Sequence, residues 1–124
     1  MNANWISLLV FAAVVIGFFL FKRAGQISAK DALAHLKNGA MVIDVRSPGE
    51  FRSAHLPAAI NIPLDEIENT LPKRVPDKKR VLLLHCLSGM RSGVAQRKLK
   101  GLGYTQAFNL GAYGRAESIV KQAG

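Results

Sequence analysis

Cysteine is almost absent from this chain: Cys86 is the one cysteine among 124 residues. A single cysteine cannot form an internal disulfide, and it cannot supply the ligands of a cysteine-rich metal site. The three histidines have no spacing typical of metal ligands, so the sequence predicts neither a metal site nor a cofactor. Most isolated cysteines are small buried hydrophobic residues. The neighbours of Cys86 must therefore decide whether it is reactive.

Acidic and aromatic residues are also scarce. The chain has 8 Asp and Glu against 17 Lys and Arg, and its net charge is +9. Such a charge can attract anionic lipid headgroups, steer small anions to a site or bind nucleic acid. With 7% aromatic residues and no zinc-finger or RNA-binding signature, nucleic acid is the least supported partner. One basic cluster flanks two prolines of a predicted loop and is interpreted as solvated: Lys73, Arg74, Lys78, Lys79 and Arg80.

Charged side chains are missing altogether from residues 1–21, and residues 5–21 are almost entirely apolar. A helix over this run is roughly 25 Å long, near the lower limit for crossing a bilayer. A cleaved signal peptide is disfavoured, since no basic residue precedes the run and no small-residue cleavage site follows it. We therefore predict a transmembrane anchor over residues 1–23 that contacts the lipid bilayer through residues 5–21. Lys22 and Arg23 after the span predict one pass through the inner membrane, with the rest of the chain in the cytoplasm.

Residues 24–124 have the length of one globular domain. Short apolar runs alternate with segments of helical periodicity, which predicts a mainly parallel α/β sheet. The predicted helices span residues 29–38, 48–53, 65–71, 91–102 and 113–122, and the predicted strands span residues 41–45, 60–62, 81–86 and 107–110.

Cys86 follows a continuous apolar run at residues 81–84, which is typical of a strand buried on both faces. It therefore lies at the carboxyl end of a strand, where open parallel sheets bind their ligands. Ser88 and Gly89 permit a tight turn, and the next helix begins at Arg91. The amides and positive end of that helix, together with Arg91, favour a thiolate over a thiol. The same groups are expected to hold an anionic substrate.

Two stretches of the chain resemble the single-domain rhodanese, or sulfurtransferase, family. Residues 43–51 read IDVRSPGEF and residues 54–63 read AHLPAAINIP, which is similar to the first signature of the family. Ala54 and Ala58 stand where that signature has glycine. The active-loop motif of the family is matched by Cys86, Gly89, Arg91 and Ser92, and with Asn109, Leu110 and Gly111 the likeness covers about residues 28–122.

The resemblance implies a parallel five-stranded sheet flanked by helices, here preceded by the N-terminal transmembrane helix. It also implies that Cys86 accepts a sulfane sulfur from thiosulfate or a persulfide donor, becomes a persulfide, and passes the sulfur to a thiol or cyanide. A small anionic donor and a thiol acceptor are then the expected partners, and no protein partner is indicated. The expected substrate-binding residues are those of the loop: Leu87, Ser88, Gly89, Met90, Arg91 and Ser92.

The charged residues upstream of the loop are interpreted as structural support. Arg46 and Glu50 are expected to pair, Asp44 to anchor neighbouring turns, and His55 to act as a hydrogen-bonding fixture beside a proline turn. His85 precedes Cys86 on the same strand, so its ring is expected to point away from the sulfur.

Two other functions use the same residues. A phosphatase or arsenate-reductase-like enzyme would employ the same Cys86 thiolate, and a non-catalytic module would bind a partner or sulfur cargo without turnover. Four residues separate Cys86 from Arg91. The related cell-cycle phosphatases have one residue more, which leaves more space for phosphate. The shorter loop therefore favours sulfur transfer.

Overall fold

The computed structural model describes residues 4–124, apart from the side chains of residues 21–24. A short 3₁₀ turn, Leu64–Glu66, leads into the fourth helix. The helices are α1 (Asn4–Ala24), α2 (Ala29–Lys37), α3 (Pro48–Ser53), α4 (Ile67–Arg74), α5 (Met90–Gly101) and α6 (Tyr113–Ala123), and the strands are β1 (Met41–Asp44), β2 (Ile60–Asn61), β3 (Leu82–His85) and β4 (Ala107–Gly111).

Within residues 4–124 the strands form one parallel sheet in the order β2-β1-β3-β4. The predicted parallel α/β fold is therefore confirmed, but the predicted count of five strands is wrong. At the β4 edge the chain makes only an isolated parallel bridge, between Gln26 and Asn109. The extended segment is short because Ser28 already caps α2, accepting a hydrogen bond from the Asp31 amide at 3.1 Å.

The sheet is covered on both faces, as the unbroken apolar run of β3 predicts. Leu82 and Leu84 pack into one core cluster, with Tyr104 and Leu99. Leu83, which points to the opposite face, packs into a second cluster that includes Ile27 and residues of α2 and α6. Every residue of β3 is buried, so Cys86 emerges from the most enclosed strand of the sheet.

Helix α4 extends further than predicted, and helix α3 begins with a cap that the sequence analysis did not identify. Helix α4 continues through Pro72 to Arg74, where a loop was predicted, and buries Ile67 and Leu71 in the core. Helix α3 begins with a capping box, in which the Ser47 hydroxyl accepts from the Glu50 amide at 3.3 Å and Glu50 Oε1 accepts from the Ser47 amide at 3.1 Å. This box fixes the position of the Glu50 carboxylate.

Helix α1 is apolar and its large side chains are exposed, from Trp5 to Leu20. None of the helices in the described part of the chain has both the length and the apolar character needed to cross a membrane. The predicted transmembrane anchor is therefore not supported, and neither is contact with the bilayer.

Candidate active site

Cys86 directly follows β3 at the carboxyl edge of the sheet, and its side chain is fully buried. Its amide donates to Gly111 O at 3.2 Å, so β4 holds the start of the loop. The loop turns at Gly89, which adopts the left-handed conformation with φ of 94° and directly precedes α5. This turn directs the Gly89 amide at the Cys86 sulfur, and the N–Sγ distance is 3.0 Å.

The hydrogen bonds around the sulfur favour the thiolate. Burial raises the pKa of Cys86, because a charged sulfur loses its hydration. Hydrogen bonds from the Ser92 hydroxyl and from the amides of Ser92, Gly89 and Ser88 lower the pKa and outweigh burial. The net pKa of Cys86 lies below its ordinary value, as the sequence predicted from the helix N-terminus.

Asn109 supports the loop, and the sequence assigned it no role in the site. Its Oδ1 accepts from the Ser92 hydroxyl at 2.7 Å and from the Gly111 amide at 2.9 Å, while its Nδ2 donates to Gly89 O at 3.2 Å. Ser92 Oγ also lies 3.4 Å from the sulfur, so its single proton is shared between Asn109 Oδ1 and the sulfur. A buried polar residue at the carboxyl end of the strand beside β3 was the signal that could have identified Asn109.

Gln26 is a second residue that the sequence did not identify. Its side chain packs against Gly89 and Gly111: a Cβ placed on Gly111 would lie 3.0 Å from Gln26 Nε2, and one on Gly89 would lie 3.3 Å away. Both glycines have positive φ. The segment before α2 therefore closes the outer side of the cysteine loop.

The remaining loop residues differ in position. The side chains of Leu87 and Met90 are exposed at 60% and 58% and lie on the outside of the loop. The Ser88 hydroxyl accepts from the Met90 amide at 3.5 Å. A groove of about 520 Å³ adjoins the loop and is lined by residues that include Leu64, Gly89, Met90, Arg91, Val94 and Arg97.

Arg91 is held by Glu50, which lies 41 residues earlier in the chain. Arg91 Nη1 donates to Glu50 Oε1 at 2.7 Å and Nη2 donates to Oε2 at 3.0 Å. These bonds, with the Ser47 amide, lower the pKa of Glu50 to about 2 and raise the pKa of Arg91. The predicted pairing of Arg46 with Glu50 is wrong, because helix α3 directs Glu50 at the loop instead.

Arg46 pairs with Asp44 in a buried ion pair. Its Nη2 lies 2.7 Å from Asp44 Oδ2 and also donates to Ala54 O at 2.7 Å. Its guanidinium lies over the Tyr113 ring, 4.8 Å from the centroid. The Asp44 carboxylate also accepts from the Arg46 amide at 2.9 Å. Both residues tie the end of β1 to the chain after α3.

The two nearby histidines have different surroundings. His55 is exposed, its Nδ1 lies 2.8 Å from Phe51 O, and its ring stacks on Phe51, so it holds the end of α3. His85 is fully buried beside Tyr113, with Nε2 3.8 Å from Asp44 Oδ2. Burial lowers the pKa of His85, which keeps the ring neutral near pH 7.

The fold and the loop define a class: a parallel α/β domain that holds a cysteine thiolate among backbone amides at the carboxyl edge of its sheet. Residues 28–113 match the family model of the rhodanese-like domain. The chain belongs to that family, as its resemblance predicted.

Relatives in the family carry sulfurtransferase names. The thiosulfate sulfurtransferase PspE of Escherichia coli (strain K12) is 41% identical over 69 residues, which cover 56% of this chain and 66% of that protein. The thiosulfate:glutathione sulfurtransferase of Saccharomyces cerevisiae is 36% identical over 76 residues, 52% of this chain and 55% of that protein. The chain thus spans less than two thirds of the length of either enzyme.

A solved structure agrees with this assignment. The human single-domain sulfurtransferase TSTD1 superimposes with a TM-score of 0.64 at 31% identity, over 78% of this chain and 96% of that chain. These similarities support sulfur transfer as the general class of reaction.

Proposed function

We propose that the protein is a sulfurtransferase that moves a sulfane sulfur from thiosulfate or a persulfide to a thiol or cyanide through a Cys86 persulfide. The Cys86 thiolate attacks the outer sulfur of thiosulfate, a new S–S bond forms, the S–S bond of the donor breaks, and sulfite leaves with the bonding electrons. A thiolate then attacks the terminal sulfur of the persulfide, which yields a new persulfide and restores the Cys86 thiolate. No external oxidant or reductant is needed.

The observation that supports this proposal most strongly is the hydrogen bonding of the buried sulfur. The amide of Gly89 and the hydroxyl of Ser92 lie 3.0 Å and 3.4 Å from Sγ. Because these donors lower the pKa of Cys86, they increase the fraction of the nucleophilic thiolate at any given pH. Thiosulfate as donor and a thiol as acceptor also correspond to the names of the related enzymes, a thiosulfate sulfurtransferase and a thiosulfate:glutathione sulfurtransferase.

Intact-mass analysis tests the proposal directly. After incubation with thiosulfate, the protein should gain the mass of one sulfur atom, a reducing agent should remove it, and Cys86→Ser should not gain it. Addition of cyanide or a thiol should discharge the adduct at a rate that supports turnover. Absence of an adduct with thiosulfate and with every persulfide donor would contradict the proposal.

Activity assays, run beside the mass analysis, separate sulfur transfer from the two other functions. A phosphatase or arsenate-reductase-like enzyme should hydrolyse an aryl phosphate or reduce arsenate and should not transfer sulfur. A non-catalytic module should load sulfur at most once and should not return to the free thiol with an acceptor. The short loop between Cys86 and Arg91 favours transferase activity over phosphatase activity in side-by-side assays.

The cytoplasm remains our proposed compartment for the domain. A thiol acceptor and an unprotected persulfide both need a reducing environment. Compartment fractionation of the source cells, with a known cytoplasmic protein as marker, tests this placement. Recovery of the protein in the fraction of an oxidising compartment would contradict the cytoplasmic placement.

A further inference from the structure

Arg91, the cation of the cysteine loop, is already paired in this structure. Both of its terminal nitrogens donate to Glu50, at 2.7 Å and 3.0 Å, in the two-pronged geometry that guanidinium and carboxylate groups favour. The capping box of α3 holds the Glu50 carboxylate in place from the other side. The positive charge expected to bind an anionic donor is therefore balanced by a fixed negative charge at the same loop.

A second ion pair near the loop is also neutral overall. Asp44 and Arg46 form a buried pair at the end of β1, next to β3. The loop itself presents only dipoles to the sulfur, namely the backbone amides and the Ser92 hydroxyl. Dipoles of this kind can stabilise one negative charge on sulfur. A second negative charge on the donor gains little from these dipoles, and the Glu50 carboxylate, which is bound to Arg91 of the same loop, repels it.

We propose that Glu50 sets the charge preference of this site, so that monoanionic sulfane donors, such as thiosulfonates and simple alkyl persulfides, load Cys86 more readily than the thiosulfate dianion does. The inference rests on the proposed function and names the donor class for that site. With a thiosulfonate, the Cys86 thiolate attacks the outer sulfur, the S–S bond of the donor breaks, and a sulfinate leaves with the bonding electrons. Thiosulfate reacts in the same way, but sulfite leaves with one more negative charge.

Two donors of matched chemistry test the inference: thiosulfate, with two charges, and methanethiosulfonate, with one. The quantity to compare is the ratio of kcat/KM for thiosulfate to kcat/KM for methanethiosulfonate, with cyanide as the common acceptor. Taking the ratio within one variant cancels differences in the amount of active protein. Glu50→Gln removes the charge and keeps an oxygen that can accept from the Ser47 amide. This variant should raise the ratio roughly three- to tenfold.

Glu68→Gln is the matched control. Glu68 also pairs with a cation of α5, Lys98, at 3.3 Å. Lys98 lies seven residues after Arg91, about two helical turns away. Loss of the Glu68 charge should leave the ratio unchanged. An increase in Glu68→Gln equal to that in Glu50→Gln would show a general charge effect and overturn the assignment to Glu50.

A double variant distinguishes charge balance from simple anion binding by Arg91. Arg91→Gln alone leaves the Glu50 carboxylate unbalanced and should lower the ratio. Glu50→Gln with Arg91→Gln removes a neutral pair, so its ratio should return to within about twofold of the unchanged protein. If the double variant stays as low as Arg91→Gln, Arg91 binds the dianion despite its partner and the inference is wrong.

The remaining outcomes are also decisive. A ratio that stays constant or falls in Glu50→Gln, while both donors still load Cys86, overturns the role of Glu50 and leaves the sulfurtransferase proposal intact. If neither donor loads the unchanged protein, the proposed function fails and the inference fails with it.

Discussion

Cys86 shows how a few short-range bonds determine the chemistry of one residue. Full burial alone would raise the pKa of Cys86 and favour the neutral thiol. The adjacent His85 offers no positive charge, because burial lowers the pKa of its imidazole. The donors that reverse the preference at Cys86 come from the turn of the loop and from Ser92. Of these, only Ser92 contributes a side chain, so it can be removed without altering the backbone.

Ser92→Ala should raise the pKa of Cys86. A hydrogen bond to a charged group contributes about 1.5–3 kcal/mol, so its loss should shift the pKa upward by about one to two units. Alkylation by iodoacetamide, measured from pH 5 to 10, should follow the thiolate fraction and move to higher pH by that amount. Ser118→Ala, at an exposed serine of α6, should leave the profile unchanged. An unchanged profile in Ser92→Ala would remove Ser92 from the activation of the sulfur.

Glu50 should make stability depend on pH in the acid range. Its hydrogen bonds with Arg91 lower its pKa from 4.5 to about 2 in the folded protein. Because the folded pKa is lowered, the pair stabilises the fold fully above about pH 4.5, and this contribution is lost as the pH falls toward 2. The difference in Tm between the unchanged protein and Glu50→Gln should therefore shrink from pH 6 to pH 2.5. A constant difference would show that the pair does not stabilise the folded state.

At the scale of elements, the residues that differ from the family pattern lie in the turns between helices and strands. Ala58 replaces a glycine of that pattern and adopts a positive φ of 62°. A side chain in this conformation costs roughly 1–2 kcal/mol. Ala54 also replaces a glycine, but it caps α3 with φ of −164°, an extended conformation open to any residue. The two substitutions therefore differ in their energetic effect.

Ala58→Gly should stabilise the protein by about 0.5–1 kcal/mol, because relief of the strain exceeds the greater chain entropy of glycine in the unfolded state. Ala54→Gly is the control: it relieves no strain and should be neutral or destabilising. Urea denaturation of both variants measures the change in the free energy of unfolding. The reverse order of the two effects would refute the strain at Ala58.

At the scale of the whole molecule, the parallel sheet assembles the site. Parallel strands bring Asp44, Cys86 and Asn109, which are far apart in sequence, to the carboxyl edge. The segment before α2 completes this arrangement at β4: the Ile27 amide donates to Asn109 O at 3.0 Å, and Arg115 donates to Ile27 O. Ile27 is buried in the second core cluster. The folded domain therefore includes Gln26 and Ile27, which precede α2 in the chain.

Two truncations test where the domain begins. Removal of residues 1–24 should leave the Tm of the remaining domain and its sulfur loading intact, since it keeps Gln26, which packs against Gly89 and Gly111. Removal of residues 1–28 should lower the free energy of unfolding by about 2 kcal/mol or more, through loss of the Ile27 side chain and its hydrogen bonds. The second truncation should also slow sulfur loading, because Gln26 no longer packs against Gly89 and Gly111. Equal behaviour of the two truncations would contradict this boundary.

The sequence alone was enough for features that depend on neighbours in the chain. The order of helices and strands, the buried β3, the Gly89 turn and the cap at Ser28 all follow from residues within a few positions of each other, because helix periodicity and capping are local. The motif residues around Cys86 also identified the family.

The tertiary structure decided the pairings across the site. Arg91 and Glu50 are 41 residues apart, and Ser92 and Asn109 are 17 residues apart. A sequence pattern shows that such residues exist but not which of them meet, since that depends on strand order and on where each helix begins. The same limit explains the missing fifth strand and the role of Gln26, because the bridge to Asn109 forms only once β4 is in place.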